Sequence, residues 1–187
     1  MKRRDILKTS ALFLGYAVTG GAAVAVLNGC KADTSDGWVP KILSEGQAAF
    51  LAEVVETILP TTDTPGAKAA MVHRYIDEAV ANNWEPADQK RFIGQLPTID
   101  SIAKNLKGAS FVKLSEADRN AVMDELVRDY KKSEDEEHIF KVLRDLTATG
   151  YFTSEIGATQ ALVYDPVPGP YKGCIPVDEV GGTYSIW

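Results

Sequence analysis

Apolar residues recur at helical spacing through the middle of the chain and predict a series of amphipathic helices. The first predicted helix follows Ser44, which has the spacing of a capping box with Gln47, and it ends at Pro60. A second helix is predicted from near Pro65 to about Asn83. The apolar face of the first helix comprises Phe50, Leu51, Val54, Val55, Ile58 and Leu59.

Further helices are predicted along the rest of this region. The third covers about residues 87–106, and Pro97 is expected to bend or split it. Ser115 caps a fourth helix, and the acidic run at residues 134–137 opens a fifth, which Gly150 ends or interrupts. A short sixth helix follows. The pattern therefore predicts an all-α protein, a compact bundle of about five to six helices.

The C-terminal stretch, residues 165–187, has a different composition. Its prolines and glycines predict neither helix nor ordinary sheet, yet it is rich in apolar side chains. A large apolar surface without an internal partner often marks an interface. Two interpretations remain open: the tail docks on another chain, or it wraps back over its own helices. The candidate interface residues are Pro170, Tyr171, Cys174, Tyr184 and Trp187.

The N-terminal stretch has the layout of an export signal, with basic residues followed by an apolar run over residues 11–27. Glycines interrupt that run, which is unusual for a permanent membrane anchor. An ordinary secretory signal and an N-terminal anchor are the alternatives to a twin-arginine signal. The residues that match the twin-arginine pattern are Arg3, Arg4, Ile6, Leu7 and Lys8.

The signal ends in a sequence similar to the lipobox of bacterial lipoproteins. Leu27, Gly29 and Cys30 fit that motif, whereas Asn28 departs from the small or apolar residue usual at its position. Acylation of Cys30 would hold the protein on a membrane surface. The chain has two cysteines, and a disulfide between Cys30 and Cys174 would exclude lipidation, so both assignments stay open here.

Composition divides the chain into an export signal (residues 1–29), a polar tether (30–43), a helical domain (44–164) and an extended docking tail (165–187). Four of the 20 Lys and Arg residues and one of the 26 Asp and Glu residues lie in the signal. The remaining 16 basic and 25 acidic residues give a net charge near −9. This acidity disfavours nucleic acid as a partner, because phosphate would be repelled.

Histidines are scarce. His73 lies inside the predicted second helix, where a packed or surface residue is more common than a ligand. Glu134, Glu137 and His138 are a candidate metal-binding group, but a solvated helix start is the favoured interpretation. The adjacent acids at residues 77–78 fit ordinary charges on a helix surface.

Known catalytic and cofactor motifs do not occur in the sequence: there is no paired-cysteine motif for haem, iron–sulfur or zinc, no dinucleotide fingerprint and no nucleophile elbow. The twin-arginine route carries proteins that are already folded, often around a cofactor. A small helical domain without a cofactor motif has little need of that route. The signal is therefore expected to serve a partner that folds in the cytoplasm and travels with this chain.

Several short motifs together resemble the gluconate 2-dehydrogenase subunit 3 family, the small subunit of membrane-bound sugar dehydrogenases. The resemblance spans about residues 44–176 and rests on the order of the motifs together with the twin-arginine start. These motifs are residues 56–60 (Glu-Thr-Ile-Leu-Pro), 65–67 (Pro-Gly-Ala), 72–77 (Val-His-Arg-Tyr-Ile-Asp), 150–154 (Gly-Tyr-Phe-Thr-Ser), 157–159 (Gly-Ala-Thr) and 170–174 (Pro-Tyr-Lys-Gly-Cys).

The resemblance implies a non-catalytic subunit, exported to the periplasm or attached to the membrane facing it. Family members pair with a large FAD-dependent oxidoreductase of the glucose–methanol–choline (GMC) type. That partner oxidises a sugar, glycoside or sugar acid and passes electrons to a cytochrome c subunit or another carrier. FAD belongs to the partner, and no cofactor is expected in this chain. Cys174 matches the family's C-terminal cysteine, which implies a disulfide or a buried contact with the catalytic subunit.

Two other functions compete with this one. The first is a free-standing envelope lipoprotein, attached through Cys30, that binds a ligand or another protein. The second is a small enzyme that uses His73 or the cluster of Glu137 and His138.

Overall fold

The computed structural model describes residues 37–133, 135, 137–164, 167, 169–170 and 173–183. The described part is helical and contains no strand, which confirms the predicted all-α class. Shorter elements are a 3-10 turn at Phe111–Lys113, a π-helical turn at Gly157–Ala161 and a four-residue helix, α6, at Val177–Val180. The five long helices are α1 (Glu45–Ile58), α2 (Val72–Asn83), α3 (Pro86–Lys107), α4 (Glu116–Ser133) and α5 (Ile139–Phe152).

Helix α1 lies at the centre of the unit formed by residues 39–187, where it contacts α2, α4 and α5. The face predicted from its apolar spacing is the buried one, since Leu51, Val54 and Val55 are completely inaccessible. Each such side chain contributes about 1.5–3 kcal/mol through its removal from water. The predicted capping box is present, because the Ser44 side chain accepts from Gln47 N and the Gln47 side chain accepts from Ser44 N.

Helix α2 begins later than predicted, at Val72 and not near Pro65. The intervening residues form turns in which Ala67 N donates to Leu59 O and Val72 N donates to Ala67 O. These bonds tie the segment to the end of α1. Met71 adopts the left-handed conformation, with φ 56°, and a non-glycine residue in that conformation interrupts a helix. The helical propensity of this segment is therefore overridden by its attachment to α1.

Helix α3 runs without interruption through Pro97, so the predicted split does not occur. Pro97 is exposed. Because proline has no N–H, the carbonyl one turn earlier loses its intrahelical partner, and that carbonyl lies on the same side of the helix as Pro97. Water can satisfy that carbonyl. Gly108, in the left-handed conformation with φ 73°, then ends the helix.

Helix α5 also departs from its predicted bounds. His138 caps it by accepting from Phe140 N through Nδ1, so the helix begins at Ile139, after the acidic run that was expected to open it. Gly150 does not end the helix, which continues to Phe152. Instead Gly150 is a contact point, because a Cβ atom there would lie 2.5 Å from Cδ1 of Tyr75 on α2. Glycine therefore allows α2 and α5 to pack closely.

The tail contains more local structure than predicted. Helix α6 was not expected, and it ends at Gly181, which adopts the left-handed conformation with φ 70°. Val163 N donates to Thr183 O at 2.8 Å, so the described end of the tail returns to the region where α5 and the π-helical turn finish. Among the described residues, no helix is long and apolar enough to cross a bilayer.

Two glycine-to-alanine changes in helices test the close packing of α2 on α5. Gly150→Ala places a methyl group against the Tyr75 ring, and we expect unfolding free energy to fall by about 1–3 kcal/mol. In α3, Gly94→Ala meets no atom within 4 Å and should instead raise stability by about 0.5–1 kcal/mol. Urea unfolding of both variants checks the pair. Equal effects of the two changes would contradict the packing role of Gly150.

Candidate functional site

The α1–α2 loop, residues 60–71, is organised by one carboxylate. Glu56 Oε1 accepts from Thr61 N at 3.0 Å and from Thr61 Oγ1 at 2.8 Å. Glu56 Oε2 accepts from Lys68 N at 2.8 Å, on the far arm of the loop. Because hydrogen bonds to an ionised acceptor are stronger than neutral ones, this carboxylate holds both arms of the loop together.

Gly66 occupies the centre of this arrangement. Its N–H donates to Thr61 Oγ1 at 3.0 Å. A Cβ atom on residue 66 would overlap the Glu56 carboxylate and lie 2.6 Å from Thr61 N. The loop can therefore close on Glu56 only if residue 66 has no side chain, which gives a physical reason for the Pro-Gly-Ala motif.

Tyr151 joins α5 to the same loop. Its ring is buried, and its hydroxyl donates to Pro65 O at 2.7 Å and lies 3.3 Å from Thr64 Oγ1. Pro65 and Tyr151 are 86 positions apart in the sequence. The motifs quoted from the two halves of the chain thus meet at one corner of the molecule.

The turn after α5 is built around the backbone of Tyr151. Ser154 Oγ donates to Tyr151 O at 2.6 Å and accepts from Gly157 N at 3.0 Å. Gly157 is so close to Tyr151 O that a Cβ atom would overlap it. The Ser154 hydroxyl and the missing side chain at residue 157 therefore fix where the chain turns and, with it, the direction of the tail.

An ion-pair group extends this corner toward α4. Glu53 binds Lys68 Nζ and Arg119 at 2.5 Å each, and the guanidinium of Arg119 also donates to the carbonyls of Phe111 and Val112. The Lys68 ammonium, followed by Arg119, holds the pKa of Glu53 below its usual range although partial burial opposes the shift. These charges connect α1, the α1–α2 loop, α4 and the 3-10 turn.

The clefts in the described part of the chain include two with polar linings. One, of about 210 Å³, lies beside the α1–α2 loop and is lined by Glu56, Thr61, Glu116 and Arg119 among others. In it, Glu56 and Arg119 are already engaged with backbone groups. These polar groups of the cleft therefore already stabilise the fold.

The other cleft, of about 320 Å³, lies between the α2–α3 turn and the start of α5. Trp84 and Phe92 supply its apolar wall, and their rings meet edge to face at 5.8 Å. Arg91 binds the carboxylates of both Asp88 and Glu137 across its mouth. Three of the charged side chains that line this cleft, Asp88, Arg91 and Glu137, are therefore also paired with one another.

A comparison with protein families decides the relationship. The family model described as gluconate 2-dehydrogenase subunit 3 matches residues 45–169. The chain belongs to this family. The matched range contains all five long helices, the α1–α2 loop and the turn that surrounds Tyr151. No curated protein and no solved structure matched the chain.

The structure describes only two of the residues that were predicted for the export signal, the lipidation site and the interface of this subunit 3 chain. Cys174 is exposed and has a free thiol, and Pro170 is also exposed. The other predicted residues lie outside the part of the chain that the structure describes: Arg3, Arg4, Ile6, Leu7, Lys8, Cys30, Tyr171, Tyr184 and Trp187.

The described residues of the candidate metal-binding group make other contacts. Glu137 pairs with Arg91, and His138 caps α5 with Nδ1 while its Nε2 lies 3.3 Å from Asp129 Oδ2. Glu134 lies outside the described residues. In the described part of the chain, no three His, Cys, Asp or Glu side chains are grouped to hold a metal ion.

Sequence reasoning missed the main structural role of three side chains. Glu56 and Tyr151 stood in the family motifs without an assigned function, and Asp77 was taken for a surface charge although it is completely buried. For Glu56 a signal existed, because an acid in the last turn of a helix opposes the helix dipole and calls for another partner. The burial of Asp77 had no comparable signal in the spacing.

His73, on α2, is about half-buried, and burial lowers its pKa, with the charges of Arg74 and Lys68 acting in the same direction. The folded protein therefore favours the neutral imidazole more than the unfolded chain does.

Substitution of Glu56 tests the organisation of the loop. In Glu56→Gln, an amide N–H₂ would face either Lys68 N or the donors of Thr61, so at least one hydrogen bond is lost. We expect unfolding free energy to fall by about 1–2 kcal/mol. The control, Glu155→Gln on an exposed site, should change it by less than about 0.5 kcal/mol. Urea unfolding with indistinguishable midpoints for the two variants would contradict this role.

The pKa of His73 predicts a pH dependence. Its folded value lies below the ordinary 6.5, so the unfolded chain binds more protons as pH falls through that value. Its contribution to stability is therefore complete above about pH 6.5 and is lost below it. In His73→Asn, the decrease in unfolding free energy between about pH 7.5 and 5.5 should become shallower, as measured by denaturant titration. An unchanged slope would refute the assignment.

Proposed function

We propose that this chain is the non-catalytic small subunit of a periplasm-facing, FAD-dependent dehydrogenase that acts on a sugar, glycoside or sugar acid. Its task is to assist the twin-arginine export, folding and stability of a large catalytic subunit of the GMC type. The family match over residues 45–169 is the observation that carries this proposal. The family takes its name from a subunit of gluconate 2-dehydrogenase, which supports association with a complex of that kind.

The internal bonding of the motifs supports a non-catalytic role. Two polar groups of these motifs, the carboxylate of Glu56 and the hydroxyl of Tyr151, bind backbone atoms of the α1–α2 loop. A catalytic acid or base needs a substrate proton within hydrogen-bond reach. Groups already committed to the loop serve the shape of the subunit, and FAD chemistry is assigned to the partner.

The export signal gives the small subunit its second task. Arg3 and Arg4 begin the predicted twin-arginine signal, and that route accepts folded cargo. A large subunit that folds around FAD in the cytoplasm would be carried to the periplasm while bound to this chain. A cytochrome c subunit is the proposed electron acceptor of the complex, and lipidated Cys30 its attachment to the membrane surface.

The tail is the proposed docking segment. Cys174 is exposed with a free thiol, and the neighbouring Ile175 is 41% exposed. An exposed thiol beside apolar surface suits an interface in an oxidising compartment. We therefore assign Cys174 to a disulfide or buried contact with the catalytic subunit.

A free-standing envelope lipoprotein is the second candidate. The observation that favours it is the cleft of about 320 Å³ walled by Trp84 and Phe92, which has the size of a small-ligand site. A GMC-type oxidoreductase gene beside that of this chain would favour the first candidate, and a lone gene the second.

Co-expression tests the main proposal. With a GMC-type oxidoreductase encoded beside it, this chain should bring the flavoprotein to the periplasm in active form. Omission of the chain should abolish export, solubility or activity of the flavoprotein. The double change Arg3→Lys and Arg4→Lys should leave both proteins in the cytoplasm. A flavoprotein that is exported and fully active alone would refute the proposal.

The two cysteines are tested on the same complex. We expect a band of both subunits on a non-reducing gel that Cys174→Ser removes, and palmitate label on this chain that Cys30→Ala removes. Cys174→Ser should keep the palmitate label, which makes each variant the control of the other. A disulfide between Cys30 and Cys174, with no label, would overturn both assignments.

A further inference from the structure

The chain that leads into α1 is fastened to α2 by a buried carboxylate. This strap, residues 39–43, was expected to be the end of a polar tether. Three consecutive strap amides donate to Asp77, from Lys41 N to Oδ2 at 2.6 Å, and from Ile42 N and Leu43 N to Oδ1 at 3.2 and 3.1 Å. Asp77 is completely inaccessible to solvent.

Asp77 and the strap depend on each other. A buried carboxylate is costly unless hydrogen bonds replace its water, and here the strap provides three donors. Release of the strap would leave the carboxylate desolvated without partners or force water into the interior. Detachment is therefore opposed by more than the loss of three ordinary hydrogen bonds.

Side chains secure the strap on both sides of the carboxylate. Lys41 Nζ binds Glu78 Oε2 at 2.5 Å, and Leu43 is buried to 6% exposure. Leu43 precedes the N-cap Ser44, and Ala48 at the fourth helical position is buried as well, which is the arrangement of a hydrophobic staple. The strap thus connects the start of α1 to the middle of α2.

We propose that Asp77 is a latch that transfers a load on the preceding chain to α2 and keeps it from the first turn of α1. Without the latch, tension would act directly on the capping box of Ser44 and Gln47, whose hydrogen bonds are exposed. With the latch, tension acts first on the hydrogen bonds between the strap amides and the buried carboxylate of Asp77. The proposed export function supplies the load, because a leading signal draws the domain from its N-terminus, whereas the latch itself can be tested without export.

Hydrogen exchange on the full chain tests the latch. In Asp77→Asn, the amides of Lys41, Ile42 and Leu43 should exchange at least about tenfold faster, while those of α3 and α4 keep their rates. The matched control, Asp124→Asn on an exposed site, should change none of them. If Asp77→Asn does not fold, Ile42→Pro removes one donor without altering α2 and should speed exchange at Lys41 and Leu43. Unprotected strap amides in the unaltered protein would overturn the proposal.

A pulling experiment tests the transfer of load. An ATP-driven unfoldase with its protease should degrade Asp77→Asn several-fold faster than the unaltered chain when the recognition tag is at the N-terminus. With the tag at the C-terminus the two rates should differ far less. Equal acceleration from both ends would show a general loss of stability and refute the latch. Neither measurement involves the partner or export, so failure of the proposed function would leave both outcomes unchanged.

Discussion

The carboxylate of Glu56, in the last turn of α1, organises the corner on which the rest of the structure depends. A negative charge at a helix C-terminus is unfavourable by itself, since the helix dipole is negative there. Donors in the α1–α2 loop compensate for this unfavourable charge, because three of them bind the two carboxylate oxygens. The loop then closes tightly enough for Tyr151 to reach Pro65. The carboxylate thus holds the loop that leads into α2 and that Tyr151 of α5 contacts.

Periodicity was sufficient to predict α1, because its buried face and capping box are local properties. It failed at the start of α2, where residues 65–71 contain good helix formers but are held to α1 by long-range bonds. It failed at Gly150 for a similar reason, since the glycine leaves room for the Tyr75 ring on another helix. Single-sequence patterns indicate which face is apolar, but they do not show which side chains meet across the fold.

The candidate site shows the same division. The family motifs were visible in the sequence, yet their roles depend on contacts such as that between Gly66 and Glu56. Asp77 looked like a surface charge because it is followed by another acid, Glu78, and helical spacing did not indicate which of the two is buried. Glu56, Asp77 and Arg119 all bind backbone groups of the subunit itself. The thiol of Cys174, by contrast, is free and exposed.

The hydrogen bond from Val163 N to Thr183 O has a consequence for binding. It brings together the two ends of the segment that contains Cys174, so the conformational entropy of closing this loop is already lost in the unbound subunit. A partner that grips the loop has fewer degrees of freedom left to restrain, and more of the contact energy appears as affinity. In the proposed docking through Cys174, the bond at the base of the tail would restrain the loop before a partner binds, and the thiol lies about ten residues from either end of that loop.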